Sequence, residues 1–157
     1  MAQSKSIILA SNSPRRAFLL KECGFEFEIR PTHASEDFDP EMEITRVPAF
    51  LASKKAEATL PTIKANEIAL TADTVVIFDN EILNKPQSDQ EAIQMLSKLS
   101  GNTHKVITAV CLTTTTGYEL LEETSWVTFL NLRETDIVRY VQDFRPLDKA
   151  GAYGAQE

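Results

Sequence analysis

Residues 67–78 read EIALTADTVVIF, an apolar run broken near its middle by TAD. The pattern predicts one long strand with a polar interruption. An ionised carboxylate inside such a run is costly unless it is paired, bound to a metal, or set at a strand end facing a cleft. The bland alternative is a polar bulge bonding its own backbone. Whatever the chain folds into, Asp73 must be given a partner, and this makes it the first candidate functional residue.

The neighbouring segments alternate in kind. SIILAS (6–11) predicts a buried strand, and Pro14 to Cys23 a helix with Ser13 as N-cap and Gly24 just past its end. FEFEIRP (25–31) alternates strictly and predicts a half-buried strand stopped by proline, followed by an acidic loop, THASEDFDPEME (32–43), without periodicity. Residues 46–60 are helical in character, with Ala49, Ala52, Ala56 and Leu60 on one side. DNEILNKP (79–86) predicts a turn and a short return strand. SDQE (88–91) is a capping box ahead of a helix that buries Ala92, Met95, Leu96 and Leu99 and stops at Gly101. HKVITAVCLTTTT and YELLEETSWVTFLNL flank Gly117 as a long hairpin, with Trp126 and Phe129 expected in the core. A last amphipathic helix over 134–144 uses Ile137, Tyr140, Val141 and Phe144. Strands alternating with helices and then a hairpin predict a mixed-sheet α/β domain.

Composition narrows the function. The formal net charge of −7 disfavours a nucleic-acid partner, which needs a basic stripe, but leaves room for a small anion in a locally basic cleft. Cys23 and Cys111, the two cysteines, lack metal or redox spacing and are expected as buried thiols in a reducing compartment. No apolar stretch reaches the length of a signal peptide or a membrane span, so a cytoplasmic protein is expected, with no membrane partner.

Four further segments carry candidate chemistry. In SNSPRR (11–16), Pro14 suits the first helical position, so the open amides and positive end of the helix face outward. Ser11 and Ser13 add hydroxyls, and Arg15 and Arg16 add guanidinium forks suited to phosphate oxygens. The alternative is a capped surface helix with two solvated arginines. Lys55 follows the apolar face of its helix, and Lys85 sits before Pro86 at a strand end. DKAGAYG (148–154) places Lys149 beside Asp148 in a loop whose Gly151 and Gly154 allow close backbone approach to a ligand. His33 and His104 are isolated in sequence and are assigned no catalytic role. Phosphate-binding cations, carboxylates able to hold a divalent cation, and no Ser–His or Cys–His pair together suit metal-assisted attack of water on a phosphoanhydride.

In this order, SNSPRRAFLL, the acidic loop with Glu36, LASKKA, TADTVV, NKP, LSGNTHKVITAV and DKAGAYGAQE resemble the Maf family, also named septum formation inhibitors. The resemblance runs from about residue 7 to the last residue. It implies a two-lobed, mixed-sheet α/β fold related to the inosine triphosphate pyrophosphatases, with the site in the cleft between lobes. It also implies a nucleoside triphosphate substrate, hydrolysis to monophosphate and pyrophosphate with Mg2+ or Mn2+, and a homodimer. Carried over, Asp73 falls at the catalytic carboxylate and Glu36 at the acidic residue tied to metal and phosphate. Ser11, Arg16, Lys55 and Lys85 match triphosphate-contacting positions. Arg15, Thr74 and Gln156 match the subgroup acting on dTTP and UTP. Ala155 stands where the family carries isoleucine, and relatives continue past this motif. Residues 1–157 are therefore expected to be a single Maf-like domain lacking the family's C-terminal segment. A nucleotide-binding regulator of division and a purine-directed pyrophosphatase are the alternative expectations; Thr74 and Gln156 oppose the second.

Overall fold

The computed structural model describes residues 5–155. The chain divides into two compact units, Met1–Asp73 with Thr108–Glu123, and Thr74–Ile107 with Thr124–Glu157. In chain order the elements are β1 (Ser6–Leu9), α1 (Pro14–Glu22), β2 (Phe27–Ile29), α2 (Val47–Glu57), β3 (Glu67–Phe78), β4 (Glu81–Leu83), α3 (Asp89–Leu99), β5 (Thr103–Thr114), β6 (Gly117–Thr128) and α4 (Glu134–Phe144). The strand order is β2-β1-β3-β5-β6, with β4 also pairing to β3. β1 runs parallel to both neighbours, Ile8 standing opposite Glu28 and Ala69, whereas β4 is antiparallel to β3. The sheet is thus mixed, as the alternation of elements predicts. Among the described residues, no helix is long and apolar enough to cross a membrane.

In the first unit, the second half of α2 meets the strands through small residues. Ala52 and Ala56 pack with Ala109 and Cys111, and Leu120 flanks them. The buried Thr71 hydroxyl donates to the Ala52 carbonyl at 2.9 Å, which fixes the position of α2 along β3. A second tie joins the three parallel strands. The Arg30 amide donates to the Leu9 carbonyl at 3.0 Å. Its guanidinium meets Glu67 through two bonds, Nη1 to Oε2 at 3.0 Å and Nη2 to Oε1 at 3.1 Å. Lys64 adds its backbone amide to Glu67 at 2.9 Å.

In the second unit, α3 packs on α4 through Ala92, Met95, Leu96, Ile137 and Val141. The N-terminus of α3 is capped as expected on one side only. The Ser88 hydroxyl accepts from the Glu91 amide at 3.2 Å, but the Glu91 carboxylate accepts from Gln87, at 2.7 Å, instead of closing back on Ser88. Gly151 has φ +70° and lies so close to Val76 that a Cβ there would sit 3.0 Å from its methyl carbon. Only glycine meets both demands.

Three expectations need correction. β2 spans only Phe27–Ile29 and is mostly exposed, because it is the terminal strand beyond β1. Cys23 is exposed, since it caps the end of α1; Cys111 is buried. Trp126 is 66% exposed, because β6 is the opposite terminal strand, and its ring receives the Lys105 ammonium 4.9 Å from its centroid. Ser13 stands at the N-cap of α1 as expected, without a side-chain capping bond.

The Arg30 fork, the Lys64 amide and the Arg30 charge hold the Glu67 carboxyl down to about 2, against an ordinary value of 4.5. A depressed carboxylate contributes stability above its ordinary pKa and loses it as pH falls through the folded value. Glu67→Gln should therefore lower the melting temperature at neutral pH. The gap from wild type should narrow between about pH 4.5 and 2, as read by thermal melts across that range.

Candidate active site

The first unit brings together most of the residues singled out above. β1 is carried on by the Ala10 amide donating to the Leu70 carbonyl at 2.9 Å, so Ser11 begins the turn at the strand's end. Its hydroxyl oxygen accepts from the Ser13 amide and from Arg16 Nη1, each at 3.2 Å. Pro14 opens α1, as its fixed φ and missing N–H allow. The turn therefore holds a guanidinium against the positive end of a helix, a poor arrangement for a capped surface helix and a good one for an anion. Burial lowers the Arg16 pKa; the negative charge of Asp73 opposes this, Arg15 adds to it, and Glu36 opposes it. Arg16 remains charged, as guanidinium does throughout the range proteins experience.

Asp73 ends the first segment of the first unit and is 8% exposed. Its partner is Lys55, from the last turn of α2. The Lys55 ammonium lies 2.7 Å from Asp73 Oδ1 and 2.9 Å from Glu36 Oε1, so one cation serves two carboxylates. Both Lys55 and Asp73 are largely buried, while the Glu36 side chain is 58% exposed on its loop. Burial pushes the Asp73 carboxyl up from its ordinary value. The Lys55 hydrogen bond and charge, and the Arg16 charge, pull it back, and Glu36 pushes it up again. The net direction is upward: desolvation outweighs two nearby cations.

The remaining expected residues belong to the second unit or fall outside the described residues. Thr74 and Lys85 belong to the second unit; Lys85 is exposed, and its carbonyl accepts from the Gln87 side-chain amide at 3.2 Å. Gln156 lies outside the described residues. In the DKAGAYG loop, Lys149 is buried and its ammonium is 2.9 Å from Asp148. The loop is pinned where the Gly151 amide meets the Asn84 carbonyl at 3.3 Å and the Gly154 amide meets the Tyr140 hydroxyl at 3.2 Å. A third tie is the 2.6 Å bond between His104 Nε2 and the Tyr153 hydroxyl, within a group of edge-on rings that includes Phe129. His104 thus has a structural role that its isolation in sequence did not reveal. Lys54, next to Lys55, was also not singled out; it reaches the acidic loop.

Among the described residues, no three His, Cys, Asp or Glu side chains form a group able to hold a metal ion alone. Glu36 and Asp73 supply two carboxylates around one cation position.

A family model described as Maf-like protein matches residues 6–157. The chain belongs to the Maf family. Among the relatives of this Maf chain, the dTTP/UTP pyrophosphatase of Flavobacterium johnsoniae is 44% identical over 151 residues, 96% of this chain and 78% of that protein. The dTTP/UTP pyrophosphatases of Phocaeicola vulgatus and Bdellovibrio bacteriovorus are 42% and 43% identical. Each match takes in 96% of this chain, and 79% and 82% of those proteins. The solved Ham1 protein of Staphylococcus aureus superposes with a TM-score of 0.55 at 14% identity, over 78% of this chain and 70% of that one, a likeness of fold alone.

The raised Asp73 carboxyl has a consequence for stability in this Maf protein. A carboxylate whose folded pKa is raised stabilises the fold when protonated, and that contribution is lost as pH rises through the folded value. Asp73→Asn, a neutral isostere, should melt no lower than wild type at neutral pH. Its advantage should shrink as pH falls into the carboxylate range, as followed by thermal melts from pH 4 to 8.

Proposed function

We propose that the chain hydrolyses the α–β anhydride of dTTP and UTP, releasing nucleoside monophosphate and pyrophosphate with the help of a divalent cation, Mg2+ or Mn2+. The observation that carries this reading is the Lys55 ammonium shared by Asp73 and Glu36 beside the Ser11–Arg16 turn, in a chain of this family. Relatives that share about two-fifths of its residues bear the same activity in their names.

In this reading the residues divide the work. Ser11, Arg16 and the start of α1 take up phosphate oxygens, with Lys55 and Lys85 adding positive charge. Two carboxylates, with no third His, Cys, Asp or Glu grouped with them among the described residues, fit Mg2+, which is usually held by one or two carboxylates together with substrate phosphates. Glu36 and Asp73 would hold it, and when bound it supplies polarisation of the anhydride and acidification of water. Asp73 orients the attacking water and accepts its proton on a carboxylate oxygen. An ordinary Asp, at about 3.9, is a weak base at neutral pH, and desolvation shifts this one in the useful direction. Lys55 keeps that carboxylate ionised while it waits.

Arg15, Thr74 and Gln156 are the proposed base-reading residues. Uracil and thymine offer two carbonyl acceptors flanking one N3–H. Arg15 only donates, so it suits a carbonyl and meets the cytosine amino group badly. A Gln amide flips to serve either base, which leaves most of the rejection to the arginine. The same reading makes the protein a cytoplasmic enzyme for free nucleotides and, by its resemblance to the family, a homodimer.

Steady-state kinetics test both halves. Asp73→Asn should stay folded and lose at least about a hundredfold in kcat with UTP, the range of a general base. Excess chelator should abolish wild-type turnover; full activity in either case sinks the mechanism. Wild type should prefer UTP and dTTP to CTP and GTP in kcat/KM. Arg15→Ala should erode the UTP-to-CTP ratio by about tenfold or more, the cost of one unpaired buried donor. Equal handling of CTP and UTP by wild type overturns the specificity claim.

A further inference from the structure

Glu36 lies on a loop without secondary structure, yet its carboxylate must stand beside Asp73 for both to act on one cation. Two adjacent lysines of α2 reach two adjacent residues of that loop. Lys55 meets the Glu36 carboxylate, and Lys54 Nζ donates to the Asp37 carbonyl at 2.9 Å. The Lys54 ammonium also lies 5.8 Å from the ring centroid of Phe50, one turn earlier on α2, which favours a single direction for it. On the loop, the Ser35 hydroxyl donates to Asp37 Oδ2 at 2.5 Å and accepts from the Asp37 amide at 3.1 Å, a brace that encloses Glu36. A lysine anchoring Asp37 therefore anchors the whole brace.

We propose that Lys54 is a positioning residue that clamps the acidic loop through the Asp37 carbonyl and so presents Glu36 beside Asp73. The clamp matters because Lys55 is doubly engaged. In the pyrophosphatase reading, on which this proposal rests for the role of Glu36, Lys55 turns to a phosphate when substrate binds. Its bond to Glu36 is then given up, and with it the charged tie between α2 and the loop. Lys54 bonds to a backbone carbonyl, which no phosphate competes for, so its hold on the loop persists through turnover. Lys55 serves charge and Lys54 serves place.

The test pairs amide hydrogen exchange with metal titration on the full chain, comparing wild type, Lys54→Met and Lys54→Arg. Met keeps the stem over Phe50 and removes the donor; Arg restores a donor. In protein free of metal and nucleotide, Lys54→Met should speed exchange at residues 35–38 several-fold, with the melting temperature unchanged, and Lys54→Arg should largely restore protection. With UTP as substrate, Lys54→Met should raise the half-saturating Mg2+ concentration by about three- to tenfold, the scale of one lost hydrogen bond. Its kcat at saturating Mg2+ should recover to within about twofold of wild type. Unchanged exchange in Lys54→Met overturns the clamp. Faster exchange with an unmoved Mg2+ requirement overturns its role in presenting Glu36. A wild-type chain that hydrolyses neither UTP nor dTTP would fail the pyrophosphatase reading, and the exchange comparison would still decide the clamp.

Discussion

The 2.7 Å contact between Lys55 and Asp73 is the interaction on which the first unit's chemistry depends. A carboxylate within an apolar strand is tolerable only beside a cation, and that cation must come from an element held close and in register. The small residues of α2 and the Thr71 bond to Ala52 provide the closeness and the register. Arg30 and Glu67 hold β1 to β3, so that the Ser11 turn at the end of β1 reaches the same neighbourhood. What remains is a site whose charges oppose one another: desolvation lifts Asp73, Lys55 and Arg16 lower it, and Glu36 competes for Lys55. Such opposition costs the fold stability and leaves the carboxylate responsive to whatever cation arrives.

Much of this was legible in the sequence because it rests on local rules. An aspartate in an apolar run, a proline at a helix start before two arginines, and a serine before a helix each have a meaning within a few residues. What was not legible depends on distances along the chain. Glu36, Lys55 and Asp73 come from a loop, a helix and a strand, and nothing in their spacing says that one ammonium joins two carboxylates. The resemblance supplied their roles but not their contact. Periodicity also says which residues alternate, not where a strand lies in the sheet. FEFEIRP alternates as a half-buried strand does, and SWVTF carries the aromatic and β-branched residues of a packed one, yet β2 and β6 are terminal, and so Trp126 faces outward.

The second unit shows a different use of buried polarity. His104 is almost fully enclosed, and its Nδ1 has no hydrogen-bond partner among the described residues. One unmet nitrogen of a neutral ring costs less there than a charged ring, and burial lowers the His104 pKa accordingly. Burial pushes Tyr153 up to about 12, so its hydroxyl stays protonated. The pair is neutral at physiological pH and holds the glycine loop by geometry alone, whereas the first unit works by charge.

The central claim is that these residues form a pyrophosphate-releasing site, and phosphorus NMR of UTP incubated with the chain and Mg2+ tests it most directly. UMP and inorganic pyrophosphate should grow in equal amounts, with no UDP and no initial orthophosphate. UDP with orthophosphate, or UTP left intact, would contradict it.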